Sequence, residues 1–166
     1  WRRVALRARE LERLGAGLPS ALAEELAGAV PKVSPSLGDE FTNGESMALL
    51  WCPPGTFQMG SPVMEPERGS KETLHLVTVS TGYWLARTEV TQAEWIAVMS
   101  GNPSTSKSSG LEAPVENLSW DEAMEYCRRL TDRERARGTI QQGWEYRLPT
   151  EAQWEYACRA GTATAW

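Results

Sequence analysis

The spacing of apolar residues predicts helices in the N-terminal part of the chain. Val4–Leu14 and Ala21–Val30 carry apolar residues three and four positions apart, with a break rich in Gly and Pro between them. Pro31 follows the second stretch. We therefore expect a helical segment over residues 1–31, either the tail of an upstream module or a helical hairpin on the main domain. Residues 32–46, rich in Pro, Ser, Gly and Asn, are expected to form a linker.

Short apolar runs bounded by turn residues predict strands from Met47 onward. The stretch "MALLWCPPGTFQMGSP" (47–62) contains two such runs around Pro-Pro-Gly, which is typical of a β-hairpin. A polar loop is expected over 63–71. The stretch "LHLVTVSTGYWLARTEV" (74–90) contains two more strand candidates, with a turn at Thr81-Gly82.

Three later segments share one pattern for the start of a helix. Each begins with a hydroxyl residue, has Glu or Gln three positions on, and is flanked by residues placed for a hydrophobic staple. The three boxes are Thr91–Glu94, Ser119–Glu122 and Thr150–Gln153. The helices then carry apolar stripes, which are Trp95, Val98 and Met99; Ala123, Cys127 and Leu130, with Tyr126 beside them; and Trp154, Ala157 and Cys158. The spacing places these residues, both cysteines included, against a core.

Composition narrows the class of protein. The 166 residues are 41% hydrophobic and 23% charged, which suits one globular domain. The net charge of -5 argues against a nucleic-acid partner, and no apolar run is long enough to cross a membrane. The excess of Trp (8) over Phe (2) favours an irregular core. Because the chain starts at Trp1 and ends at Trp166 in a turn-like sequence, we expect a piece of a longer protein.

The candidate chemical groups do not assemble into a site on sequence grounds. Cys52, Cys127 and Cys158 match no zinc spacing, and either one disulfide with a free thiol or three reduced thiols stay open. Cytoplasmic and exported locations therefore stay open as well. His75, the one histidine, is expected to be a hydrogen-bonded structural residue.

The carboxylates and glycines do not indicate a catalytic or nucleotide-binding site either. Glu151 and Glu155 are four residues apart, as paired acid–base groups can be, but Glu151 is in a first helical turn, where the helix dipole favours a negative charge. The glycines of 55–60 have neither a P-loop lysine nor a GxGxxG pattern.

Four motifs together resemble one family. "WCPPGTFQMGSP", "EVTQAEW", "PVENLSWDEAMEYC" and "YRLPTEAQWEYACRAGT" resemble, in order and spacing, the sulfatase-modifying factor family, whose founding members are formylglycine-generating enzymes. The resemblance covers roughly 47–166. Within the family, the motifs are similar to those of a bacterial, planctomycete-like branch. It implies the N-terminal part of a family domain. The implied fold class is α+β: a C-type-lectin-like fold of the formylglycine-generating type, truncated, with short strands and three capped helices.

The resemblance also implies an activity. The founding enzymes oxidise a sulfatase cysteine to formylglycine with oxygen and a copper ion held by two cysteines, and they bind calcium. In the family these cysteines and calcium ligands follow the "RLPTEAEWEYA" block, so they are expected beyond Trp166. Cys52, Cys127 and Cys158 do not match the copper pair. We therefore expect no catalytic, cofactor-binding or metal-binding residue in this chain.

Two functions stay open. One is a formylglycine-generating oxidase with a sulfatase polypeptide as substrate, of which this chain is the inactive N-terminal half. The other is a non-catalytic ligand- or protein-binding module of the same fold, attached to another domain. The chain departs from the founding enzymes in reading "VTQAEW" and in the long charged run over 131–146, which leaves the activity undecided. Neither the sequence nor the resemblance predicts the oligomeric state.

Overall fold

The computed structural model describes residues 3–8, 35–106 and 110–162. Within these residues the chain forms seven strands and three helices. They are β1 (Ala5–Ala8), β2 (Glu40–Thr42), β3 (Ala48–Cys52), β4 (Gly55–Met59), β5 (His75–Val79), β6 (Tyr83–Ala86), α1 (Gln92–Met99), α2 (Trp120–Arg137), β7 (Trp144–Arg147) and α3 (Glu151–Arg159). No helix of the described part has the length and apolar character that crossing a membrane requires.

The strands form two antiparallel sheets. The larger has the order β2-β3-β6-β1-β7, and the smaller pairs β4 with β5. The predicted strands are therefore present, but the predicted hairpin across Pro53-Pro54 is wrong. β3 pairs with β2 and β6, whereas Phe57 in β4 lies opposite Val77 in β5. The prolines separate two sheets because neither residue can donate a backbone N–H to a ladder.

The N-terminal prediction also needs correction. The helix predicted from Val4 is wrong over Ala5–Ala8, which form β1 at an interior position of the larger sheet. Val4, Ala5 and Leu6 are 1%, 0% and 3% exposed. Such a run, buried on both faces, cannot be told from a helix by spacing alone. The linker prediction is wrong over Glu40–Thr42, which form β2. The remaining predicted helical residues, 9–31, lie outside the described ranges.

The three predicted helices are confirmed with their capping boxes. In α1 the N–H of Glu94 donates to Thr91 Oγ1 at 3.2 Å, and the Glu94 carboxylate accepts from the Thr91 N–H at 2.7 Å. The same reciprocal pair joins Ser119 to Glu122 at α2 and Thr150 to Gln153 at α3. These local bonds fix where each helix enters the fold.

The main core lies where α1 and α2 pack on the larger sheet. It contains Leu49, Trp95, Tyr126, Leu130 and Tyr146, with other apolar residues of these elements and of the segments that connect them. The predicted stripes of α1 and α2 are confirmed, since Trp95, Val98, Ala123, Cys127 and Leu130 are buried. Short strands in antiparallel sheets with three capped helices confirm the α+β class.

The predicted stripe of α3 is wrong for Cys158, which is exposed. This helix contacts the body of the fold through Tyr156 and Ala157, which pack on the second apolar cluster around Tyr83. The carbonyl of Gln153 accepts a hydrogen bond from the Tyr83 hydroxyl. The packed face therefore follows positions 153, 156 and 157, which lie on one side of a helix, and the exposed Cys158 is not part of it.

Candidate functional site

An open cleft separates the start of α3 from the end of the β4–β5 hairpin. Its volume is about 560 Å³. It is lined by Gly60, Ser61, Glu72, Pro149, Thr150, Glu151, Trp154, Glu155 and Arg159. The Thr150 capping box sets the direction of α3 and thereby places the side chains of its first two turns along one wall.

Glu155 and Arg159 clamp the end of β4 to α3. The Glu155 carboxylate accepts from the Gly60 N–H at 2.8 Å, and Arg159 donates to the Gly60 carbonyl at 2.7 Å. The two side chains also form an ion pair at 2.7 Å and are largely buried. Both backbone polar groups of Gly60 are thus satisfied by charged partners on one helix.

Gly60 is required at this point for two reasons. Its φ of +89° lies in the left-handed region, and a Cβ would stand 2.5 Å from the carbonyl oxygen of Thr73. A side chain here would meet both backbone strain and a collision with the backbone of Thr73, in the segment before β5. The floor of the cleft therefore depends on glycine.

The opposite wall is organised around Glu72. Its carboxylate accepts from the Ser61 hydroxyl at 2.7 Å, and its carbonyl accepts from the Ser61 N–H at 3.1 Å. Arg68 donates to the carbonyls of Ser61 and Glu72 at 2.9 and 3.0 Å. The turn is held by backbone bonds, and the Glu72 carboxylate is exposed towards the cleft.

The cleft is acidic with one aromatic wall. Glu72 and Glu151 are exposed, whereas the charge of Glu155 is matched by Arg159. Trp154 is half-buried and contributes apolar surface. Two unmatched carboxylates beside an indole ring suit a cationic side chain, because the charge attracts it and the ring stacks on its apolar part.

The thiols do not form a reactive centre. Burial raises the pKa of Cys127 to about 12. Burial also raises the pKa of Cys52, and a hydrogen bond with Tyr83 opposes that shift. Cys158 is exposed on α3. A nucleophilic or metal-binding cysteine needs its thiolate, which the raised pKa values of Cys52 and Cys127 disfavour at neutral pH.

All three cysteines are free thiols, so the alternative with reduced cysteines is the one observed. The copper and calcium ions that the family resemblance implies do not fit the residues present. Within residues 3–8, 35–106 and 110–162, no group of three or more His, Cys, Asp or Glu side chains is placed to hold a metal ion. The buried thiol of Cys127 is a poor ligand for copper for the reason given above.

His75 and the spaced glutamates can now be located. His75 lies in β5 as predicted and is exposed, and its Nδ1 is 2.7 Å from the Thr73 carbonyl. Glu151 lies in the first turn of α3 as predicted. The sequence interpretation missed that Glu151 and Glu155 share the cleft with Glu72. Pairing of β4 with β5 would have brought Glu72 beside Ser61, but the meeting with Glu151 and Glu155 also depends on the contact between β4 and α3.

Three comparisons with known proteins show what the chain is similar to. A family profile described as "Sulfatase-modifying factor enzyme 1-like domain" matches residues 36–166. The "Chaperone protein LppX" of Paenibacillus barcinonensis is 36% identical, over 51% of this chain and 38% of that protein. The structure of PvdO from Pseudomonas aeruginosa superposes with a TM-score of 0.65 at 23% identity, over 78% of this chain and 54% of that one. The likeness to PvdO shows the fold, and the chain spans about half or less of either protein.

Proposed function

Because this chain belongs to the sulfatase-modifying factor enzyme 1-like family, we propose that it is a polypeptide-binding module that holds a basic side chain of its partner in the α3 cleft. The observation that carries the proposal is the cleft itself, which is lined by the exposed carboxylates of Glu72 and Glu151 and by the half-buried ring of Trp154. Its volume of about 560 Å³ accommodates one or two side chains.

The charge of the whole chain supports the same ligand. A net charge of -5 attracts cationic segments and repels acidic ones. The relative LppX is named a chaperone protein, which is a polypeptide-handling role. The rigid clamp of Gly60 by Glu155 and Arg159 supports a preformed cleft, and a preformed cleft loses less entropy on binding.

Removing the two unmatched charges is expected to weaken binding of a basic peptide. The probe is a fluorescein-labelled Ala-Arg-Ala-Lys-Ala-Arg peptide, with a Gln-substituted peptide of equal length as reference. The double variant Glu72→Gln/Glu151→Gln should bind it roughly fivefold to tenfold more weakly, since exposed charges contribute up to about 1 kcal/mol each. Fluorescence anisotropy at two salt concentrations measures the change.

The matched control is Glu112→Gln/Asp121→Asn, which removes the same charge from exposed positions outside the cleft. It should bind like the unchanged protein. Equal weakening by both double variants would show that net charge, and not the cleft, attracts the peptide. Equal binding of the basic and Gln-substituted peptides would reject the cationic ligand.

The family description favours a second candidate, oxidation of a sulfatase cysteine to formylglycine. For this chain we expect no aldehyde when it is incubated with Cu(I), oxygen and a Cys-x-Pro-x-Arg peptide, because the described cysteines do not fit a copper site. Mass spectrometry of the peptide checks the result. Conversion that stops when copper is chelated would place the oxidase activity in this chain and contradict the binding module.

A further inference from the structure

Within residues 3–8, 35–106 and 110–162, the outer edge of β5 has no strand partner. β5 pairs with β4 alone, in the smaller, two-stranded sheet. Phe57 lies opposite Val77 and its ring contacts that of Tyr156, so α3 covers one face of this sheet. The other face and the outer edge of β5 are open, and the edge presents backbone donors and acceptors on which a further strand can pair.

The sequence of β5 has none of the features that normally prevent such pairing. Its five residues, HLVTV, include no Asp, Glu, Lys, Arg or Pro. Edge strands of monomeric proteins usually carry a charge or a proline that blocks a further strand. Leu76 is 66% exposed and, as the neighbour of Val77, faces away from α3. Apolar exposure concentrates here, because residues 55–79 contain four of the seven large apolar residues exposed in the described ranges, namely Val63, Met64, Leu74 and Leu76.

Backbone chemistry and charge together select the occupant of this edge. The edge of a strand pairs with an extended polypeptide. A second copy of this chain is disfavoured because each copy has a net charge of -5. Glu72, which lines the α3 cleft, is three residues before His75, the first residue of β5. Three extended residues cover about 10 Å, so a chain that pairs with β5 reaches the cleft a few residues farther on.

We propose that the outer edge of β5 binds an extended segment of the partner polypeptide as an added antiparallel strand. Because the cleft lies beyond the N-terminal end of β5, the basic residue that enters it is three or four positions C-terminal to the paired segment. This inference rests on the proposed function and adds the backbone conformation and sequence pattern of the ligand. Antiparallel pairing continues the arrangement of β4 and β5.

Methylated peptides test the added strand. The probe is a fluorescein-labelled Ser-Thr-Val-Thr-Val-Ser-Ala-Arg peptide, and fluorescence anisotropy measures its binding. Adjacent residues of a strand direct their N–H groups to opposite edges, so N-methylation of the central Val-Thr pair blocks strand pairing in either register. That peptide should bind about tenfold more weakly than the parent. The matched control, N-methylated at the Ser-Ala pair before Arg, should bind like the parent.

A charge placed on the edge tests the same surface from the protein side. Leu76→Lys should weaken binding of the parent peptide about fivefold, because it puts a cation beside a basic ligand and removes an apolar contact. Leu111→Lys is the matched control, since Leu111 is a 52% exposed leucine outside β4 and β5. It should bind the peptide like the unchanged protein.

The outcomes separate the added strand from the cleft. No binding of the parent peptide, equal binding of the two methylated peptides, or equal effects of the two lysine variants overturns the added strand. If Glu72→Gln/Glu151→Gln still weakens binding in those last two cases, the cleft proposal stands without it. If Leu76→Lys weakens binding and the double Gln variant does not, pairing with β5 stands and the placement of Arg in the cleft fails. A dimer in sedimentation that Leu76→Lys dissociates would assign the edge to a second copy and overturn the partner segment.

Discussion

Replacing Trp95 by alanine is expected to lower the free energy of unfolding by about 3–5 kcal/mol. Trp95 is 4% exposed on α1, and its ring stacks on Tyr126 of α2 with centroids 5.2 Å apart and planes 5° from parallel. The ring also lines a small cavity of about 20 Å³ next to Tyr126, so truncation enlarges an existing void. Chemical denaturation followed by circular dichroism measures the change.

Trp120→Ala is the matched control because it also truncates a tryptophan on one of the two packed helices, but at an exposed position. Trp120 is 61% exposed at the first residue of α2. Its truncation should change the free energy of unfolding by no more than about 0.5 kcal/mol. If both variants lose equal stability, the stacked pair does not anchor α1 on α2, and the packing described for the main core is wrong.

Helix starts were predictable because their determinants are local. Thr91, Ser119 and Thr150 each find their partner three residues along the chain, so the sequence contains the whole interaction. The buried stripe of α2 follows from the same short period. For α3 the period was right but the face was displaced, since contact with Tyr83 selects positions 153, 156 and 157.

Strand partners were not predictable because they depend on distant residues. The apolar runs identified β3 to β6 as strands, yet adjacent runs did not pair across Pro53-Pro54. For β1, the partner strands β6 and β7 lie far along the chain, and the run "VALRA" is compatible with a helix until those partners are known. At Pro53-Pro54 and at β1, pairing with distant strands decided the structure, and the local spacing of apolar residues did not.

The cleft was partly visible in the sequence. Glu151 and Glu155 were identified as a pair four residues apart. The helix dipole accounted for the negative charge of Glu151 in the first turn, but it gave no reason for Glu155. The role of Glu155 depends on Gly60, 95 positions away in the chain. No sequence period reports such a contact, because it arises when β4 and α3 meet in the fold.

The second large effect is expected at Glu134, a carboxylate that is 0% exposed near the end of α2. It accepts from the Gly44 N–H at 3.0 Å and from the Thr139 hydroxyl at 2.6 Å, and it pairs with Arg137 at 3.1 Å. A Cβ on Gly44 would stand 2.8 Å from this carboxylate, so the turn before β3 closes directly on it. The carboxylate thus joins that turn to the C-terminal end of α2.

Glu134→Ala should lower the free energy of unfolding by about 3 kcal/mol, the lower end for a broken buried pair, because the half-exposed Arg137 can be hydrated. Glu134→Gln keeps an acceptor for Gly44 and should lose less. Glu125→Ala is the control on the same helix, since its ion pairs with Arg128 and Arg129 are solvent-exposed and should contribute far less. Equal losses of unfolding free energy for Glu134→Ala and Glu125→Ala in chemical denaturation would contradict the buried network. The largest loss for Glu134→Ala, a smaller one for Glu134→Gln and the smallest for Glu125→Ala would support a carboxylate that holds the turn through hydrogen bonds.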